Sequence, residues 1–281
     1  MHRLNRVSSL PPGSLEQRVR DWQSQMRQSK GKIELSSLYC GDAWRQCEQL
    51  AADIRVKTQG QLTLLVASAG LGLRNWNSRA GAYGATFTRG HADSVASDLT
   101  GSKNWWALLQ QQSDTVQVSG LVAETMFCVL SATYAQVLDD ELRALATSSK
   151  VGRLVVFGGS EDIPGALRIP SDRQLLSALG GTAVSLNVRM ARKWLTFQPE
   201  LPSVDVSGHA RWSDWVASSR KPPIEPRRPM TDQQVLRWLS HLRQEMPRIS
   251  ATRALRHLRN QGHACEQKRF AMLFSQGESN V

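Results

Sequence analysis

Six prolines fall between Pro199 and Pro229, in QPELPSVDVSGHARWSDWVASSRKPPIEPRRPM, and no other feature of the chain limits its folding so strongly. Proline has no amide hydrogen and fixes its own φ, so at this density neither regular helix nor inner strand can run through. The 281 residues therefore read as three parts. Residues 1–198 form an α/β domain, residues 199–230 a proline-rich basic linker, and residues 231–281 a small all-α module. Only Arg211–Ala217 of the linker can make a short helix, whose Trp212 and Trp215 would share a face and dock on the main domain.

Before the linker, short apolar runs alternate with helical periodicity, as expected of a central, mostly parallel sheet with flanking helices. Leu62–Ala67, Met126–Ser131 and Arg153–Phe157 are nearly continuous apolar or β-branched stretches, the pattern of buried central strands. Helices are expected over Ser14–Arg27, Asp42–Arg55, Lys103–Gln112, Ala135–Thr147, Ser171–Leu179 and Asn187–Phe197. The N-terminal MHRLNRVSSLPPG has no apolar stretch behind its basic residues, so a secretory signal is not expected. No run reaches the roughly twenty apolar residues that cross a bilayer, so a cytoplasmic protein without a membrane partner is expected. Cys40, Cys47, Cys128 and Cys265 contain no close pair, which argues against zinc and against a disulfide framework. No metal or cofactor is expected.

Charge separates the parts further. The chain has 35 Lys and Arg against 24 Asp and Glu, and from Ala217 to Val281 twelve basic residues face five acidic ones. So concentrated an excess attracts a polyanion, and DNA is the expected partner. A solvated surface tail is the plain alternative. In this region Thr231 can cap a helix bearing Val235, Leu236, Leu239 and Leu242, which Pro247 ends. Ser250 caps a second helix that Gly262 closes, and a third begins near Ala264 and buries Phe270, Leu273 and Phe274. Helix, turn and helix in a basic context is similar to the bacterial helix-turn-helix class. That likeness places Glu266, Gln267, Lys268 and Arg269 against bases or flanking phosphates, with Arg253, Arg256 and Arg259 along the backbone. The alternative is a three-helix bundle that docks on a protein. His241, His257 and His263 lack partners at metal-ligand spacing.

The candidate chemistry lies in the larger domain. LTLLVASAGLGL ends in a Gly-x-Gly step, and the carboxyl edge of an open α/β sheet is where ligands bind. The dinucleotide fingerprint is not met, since Leu73, Arg74 and Asn75 follow Gly72. Ser68 is placed to donate to a ligand oxygen, the amides near Gly70 and Gly72 to cradle one, Tyr83 to stack on a base, and Arg79 and Arg89 to meet phosphate. A tight turn with Tyr83 in the core is the competing reading. Asp93, close to His91, is the nearest general acid or base. Cys40, just ahead of a helix and beside Asp42, is a rival nucleophile, with a buried filler as its alternative. Gly158 and Gly159 end another strand, so that loop, with Glu161 and Asp162, is expected at the same sheet edge as Gly70, joined there by Asn187 and Arg189. Trp105 and Trp106 are available to wall a base pocket.

The order SSLYCGDAW, SAGLGL, some nine residues of loop and then AYGATF resembles the YaaA-like group of bacterial proteins, in which a Ser-x-x-Gly-Leu step precedes a Tyr-containing loop. Leu38, Tyr39, Gly41, Trp44, Ser68, Gly70, Leu71, Gly72, Tyr83 and Phe87 carry the similarity, over roughly Lys30–Val95. Gln28-Ser29-Lys30 stands where the group has Cys-Ser-Lys. The resemblance implies association with nucleic acid, with relatives in gene clusters that alter bases in DNA, 7-deazaguanine modification among them. The expected function is thus a DNA-associated enzyme, a hydrolase or lyase acting on a nucleobase or 7-deazaguanine-type base. The alternatives are a non-catalytic DNA-binding accessory or regulator of a modification or phage-defence system, alongside other subunits of it, and an adaptor whose basic tail binds an acidic protein.

Overall fold

Strand Val151–Phe157 alternates its side chains between two cores, and the larger part of the protein is built around it. Leu154 and Val156 face a core holding Val19, Trp22, Trp105, Trp106 and Leu142, while Val155 and Phe157 face a second with Ile169, Leu186, Met190 and Trp194. This is the period-two alternation of a strand covered on both sides. The computed structural model describes residues 5–198, 201, 206–221 and 227–276. The chain divides into two compact units, Met1–Lys221 and Pro222–Val281.

In the larger unit, Val151–Phe157 lies between Ala123–Val129 and Ala166–Ile169 in an all-parallel sheet, with Cys128 opposite Val156 and Val156 opposite Arg168. The expected parallel sheet is present, but small. Leu62–Ala67 is not one of its strands, which corrects the reading of that run. Residues Leu65–Ser68 pair antiparallel with Gly72–Asn75 instead, in a separate two-stranded hairpin with Ser68 opposite Gly72. Two short pairs brace the surroundings: Asn5–Arg6 runs parallel to Tyr83–Gly84, and Ile33–Glu34 antiparallel to Arg79–Ala80. Helix Leu15–Gln28 packs on Leu99–Gln110, and Asp42–Lys57 on Leu186–Leu195. Asp98 accepts from the Gly101 amide at 2.7 Å and so starts its helix a turn earlier than expected. The stretch expected as one helix from Ala135 is two, Ala132–Val137 and Asp139–Thr147, the first capped by Ser131.

The linker reading is corrected in part. Val206–Ser219 is a helix of the larger unit, with Trp212 buried and packed on Phe197 and Trp215. The prolines at 199, 202, 222, 223 and 226 lie outside the described residues.

The smaller unit holds helices Asp232–Glu245, Ala251–Asn260 and Gln267–Gln276 around Val235, Leu239, Leu255, Leu258, Phe270 and Phe274. Thr231 and Gln234 form a reciprocal capping box, Ser250 caps the second helix, and Gly262 follows it at φ +80°. Two departures stand out. The third helix starts at Gln267 because the Glu266 carboxylate accepts from the Lys268 and Arg269 amides at 2.9 and 2.8 Å. The unit is not all helix, since Arg228–Pro229 pairs in parallel with His263–Ala264.

Candidate functional site

The hairpin turn is held from below by two indoles. Trp22 donates to the Gly70 carbonyl at 2.7 Å and Trp105 to the Ala69 carbonyl at 2.8 Å. With the carbonyls turned inward, the Ala69 amide donates to the Tyr134 hydroxyl at 3.1 Å and the Gly70 amide to Ser68 Oγ at 3.1 Å. Leu71 donates to the Ser68 carbonyl, and Leu73 to Gln110 Oε1 at 2.7 Å. These amides already have partners, so the expected amide cradle for a ligand oxygen is corrected: the turn presents side chains, not backbone. Gly72, at φ +74°, closes the hairpin in a conformation that suits glycine. Gly70 is required for space, because a Cβ there would stand 2.5 Å from the Tyr83 ring.

Beside the turn lies a cleft of about 550 Å³ whose lining includes Ser68, Tyr39, Tyr83, Tyr134, Trp44, His91, Thr86 and Asp93. The Tyr83 hydroxyl bonds both Ser68 Oγ and the Tyr39 hydroxyl. Trp44 stacks on Trp76 with centroids 4.4 Å apart and planes 10° from parallel, and Tyr39 leans on Trp44 at 4.8 Å. Neither Lys nor Arg is among the lining residues.

Burial pushes the Tyr39 phenol up, burial with Tyr39 alongside pushes Tyr83 well above its usual range, and burial pushes Tyr134 up to about 12. All three are therefore hydrogen-bonding phenols rather than bases at neutral pH. The chain has only these three tyrosines, so tyrosine absorbance reports on the cleft alone. Unfolded tyrosines ionise near pH 10 while the folded ones keep their protons to higher pH, so the native state binds more protons there. Their contribution is complete below about pH 10 and lost as pH rises above it. The urea midpoint is expected to hold from neutrality to about pH 9.5 and fall above pH 10, with tyrosinate absorbance at 295 nm rising in step with unfolding. Tyrosinate absorbance from folded protein near pH 10 would contradict this.

Asp93 is only 3% exposed. It takes Ser8 Oγ at 2.7 Å and Arg6 Nη1 at 2.6 Å. The Ser8 hydroxyl and amide, with the Arg6 guanidinium, hold its carboxyl below the ordinary carboxylate range. Asp93 thus ties the N-terminal segment to the cleft rim as a fixed carboxylate, which corrects its expected role in proton exchange. Its own amide donates to His91 Nδ1 at 3.0 Å.

Other candidates stand elsewhere. Cys40 is exposed and is not among the lining residues; Gly41, at φ +96°, caps the helix, and Asp42 binds Arg189 at 2.9 and 3.0 Å. Burial pushes the Cys47 and Cys128 thiols up to about 11 and about 12, which leaves both inert. Arg79 donates to the Lys32 carbonyl, and Arg89 is exposed on its loop. Gly158 and Gly159 do not line the cleft. They close the parallel sheet, where Arg168 donates to the Gly158 carbonyl and Asn187 to that of Leu130. Trp105 and Trp106 do not wall a pocket either, being 0% and 1% exposed. Tyr39, Trp44 and Tyr134 do that work, and sequence reasoning gave none of them a site role.

On the smaller unit Arg253, Arg256, Gln267 and Lys268 are exposed, and neither Arg253 nor Arg256 enters an ion pair among the described residues. Arg259 is half-buried and donates to the Cys265 carbonyl at 3.3 Å. Arg269 is bound to Asp232 at 2.6 Å and to the Met230 carbonyl at 3.0 Å, which corrects its expected freedom to meet a base. Among the described residues no helix is long and apolar enough to cross a membrane, and no cluster of His, Cys, Asp and Glu has metal-binding geometry. No protein-family model, curated protein or solved structure matches the chain.

Proposed function

We propose that this is a DNA-associated protein that holds a nucleobase, ordinary or of the 7-deazaguanine type, in the Ser68–Tyr83 cleft and acts on it there, as a YaaA-like protein would. The smaller unit supplies the phosphate contacts through Arg253, Arg256 and Lys268. One observation carries the reading: the cleft is walled by Trp44, itself stacked on Trp76, and by hydroxyls, with neither Lys nor Arg in its lining, while Arg253 and Arg256, exposed and in no ion pair among the described residues, belong to the smaller unit. That is the division of labour needed to grip a backbone and take in a base drawn from its stack.

A second reading, base recognition without turnover in an accessory protein of a modification or defence system, is favoured by the commitment of Asp93 to Arg6 and Ser8. Two measurements test the pair. Duplex affinity should fall steeply with salt, and Arg253→Ala with Arg256→Ala should flatten the log–log slope by about two, roughly one per lost phosphate contact. Mass spectrometry of nucleosides from DNA incubated with the wild type should show one changed species that Ser68→Ala does not produce. Unchanged nucleosides with an intact salt slope select the second reading, and a flat salt slope rejects both.

A further inference from the structure

Four aromatic rings line the cleft, those of Tyr39, Trp44, Tyr83 and Tyr134. They do not form one flat stack. The Tyr39 and Tyr83 planes stand 85° apart with centroids at 6.4 Å, and the Tyr39 and Trp44 planes 49° apart at 4.8 Å. Rings turned in this way border a ligand from several directions, and each carries a quadrupole whose negative side is its face. The Ser68 and tyrosine hydroxyl oxygens add lone pairs to the same lining.

Formal charge at the cleft is arranged in the same sense. Asp93 is the one carboxylate in the lining, which holds neither Lys nor Arg. Arg6, which answers Asp93, is outside the lining, and its side chain is 50% exposed where that of Asp93 is 4%. The pair is neutral as a whole, but its carboxylate end is the one turned to the cleft. His91 Nδ1 accepts the Asp93 amide, which requires an unprotonated Nδ1 and hence a neutral ring, an assignment made from this bond. Burial keeps the three phenols protonated and uncharged. In a chain whose formal net charge is +11, a positive ligand thus meets no like charge in this lining.

We infer that the cleft selects a positively charged, N-alkylated nucleobase over a neutral base of the same size, with Trp44 and the tyrosine rings as the wall that meets the charge. Attraction of a cation to an aromatic face is strongest for tryptophan and grows as water is excluded. An alkylated base spreads its charge over a flat ring and holds water weakly, so bringing it into a partly closed site costs less than burying a compact ammonium. This inference rests on the reading of the cleft as a base site, and one experiment separates the two.

Calorimetric titration of the full chain at pH 7 with 1-methyladenosine and with N6-methyladenosine compares two isomers, the first a cation at that pH and the second neutral. The methyl group and the apolar area are the same in both, so the difference reads charge. The cation is expected to bind at least about tenfold tighter, the effect of about two cation–π contacts. Trp44→Leu should lower the ratio of the two affinities by about threefold, whatever it does to both together, with an unchanged far-ultraviolet spectrum as the check on folding. Equal wild-type affinity for the isomers, or a ratio that survives Trp44→Leu intact, overturns the selection and leaves the base site standing. Failure of both isomers to bind overturns the base site and the selection together.

Discussion

Replacing Gly158 with alanine is expected to lower the stability of the larger unit by about 4 kcal/mol, a large part of the roughly 5–15 kcal/mol that holds a typical domain together. Gly158 sits at φ +100°, where an L side chain costs about 1–2 kcal/mol. Its Cβ would lie 1.9 Å from the Leu130 carbonyl oxygen and 2.6 Å from Asn187 Nδ2, inside the bond that those two atoms form. The backbone cannot retreat. Gly158 donates to Ile169 at 3.0 Å and Leu130 to Phe157 at 2.9 Å, so neighbouring strand ends clamp it on both sides. Overpacking of this kind adds about 1–3 kcal/mol to the strain. Gly180 supplies the control, for its φ of +70° is similarly unusual but nothing stands within 4 Å of its Cβ position. Gly180→Ala should lose only about 1 kcal/mol. Urea unfolding followed by tryptophan fluorescence reads the difference, since eight of the nine tryptophans, all but Trp238, lie before Lys221. Equal losses in the two variants would show that the collision with Leu130 carries no weight.

Gly158 also marks where sequence reading succeeds and where it stops. The glycine pair after VVF was legible as a strand end, because a continuous apolar run followed by positive-φ residues has few other outcomes. Met126–Ser131 and Arg153–Phe157 were legible as strands from their apolar runs, although the strands themselves start earlier, as Ala123–Val129 and Val151–Phe157. Ala166–Ile169 was not, being four residues long with Arg168 inside it, and its place follows from register with Val151–Phe157 rather than from its own pattern. Leu62–Leu73 shows the opposite failure. The run was apolar enough for a central parallel strand, yet Ser68–Gly72 folds it back on itself, and hairpin and strand end look alike when both close in glycine.

The cleft divides along the same physical line. Ser68 and Tyr83 were named because they flank glycine-rich steps. Tyr39 and Tyr134 lie 44 and 65 residues from their partners, Tyr83 and Ala69, and local pattern does not encode such pairings. Distance also explains the corrections. Asp93 is neutralised by Arg6, 87 residues away, and Arg269 by Asp232, 37 residues away. Read without those partners, both looked available. Helix caps, by contrast, are set within four residues, and Thr231, Ser250 and Gly262 all stand where their types required.

Trp105→Ala should cost about 4 kcal/mol and disturb the cleft it never enters. The side chain is fully buried between helix Leu15–Gln28 and the hairpin, with Trp22 at 6.5 Å and the Arg18 guanidinium 5.9 Å above the ring. Removing so large a buried ring typically loses about 3–5 kcal/mol through lost transfer energy and the cavity left behind. The indole does more than fill space. Its bond to the Ala69 carbonyl helps fix the peptide orientation from which the next amides reach Tyr134 and Ser68. Trp105→Phe separates the two roles, since it keeps most of the packing and removes only the donor, leaving a buried carbonyl unpaired at about 1–3 kcal/mol. If the indole bond positions the turn, Trp105→Phe will show tyrosinate absorbance near pH 10 while tryptophan fluorescence still reports folded protein, because a loosened turn lets water reach phenols that burial now keeps protonated. A variant that loses stability while its tyrosinate absorbance still rises only with unfolding would reduce Trp105 to a packing residue.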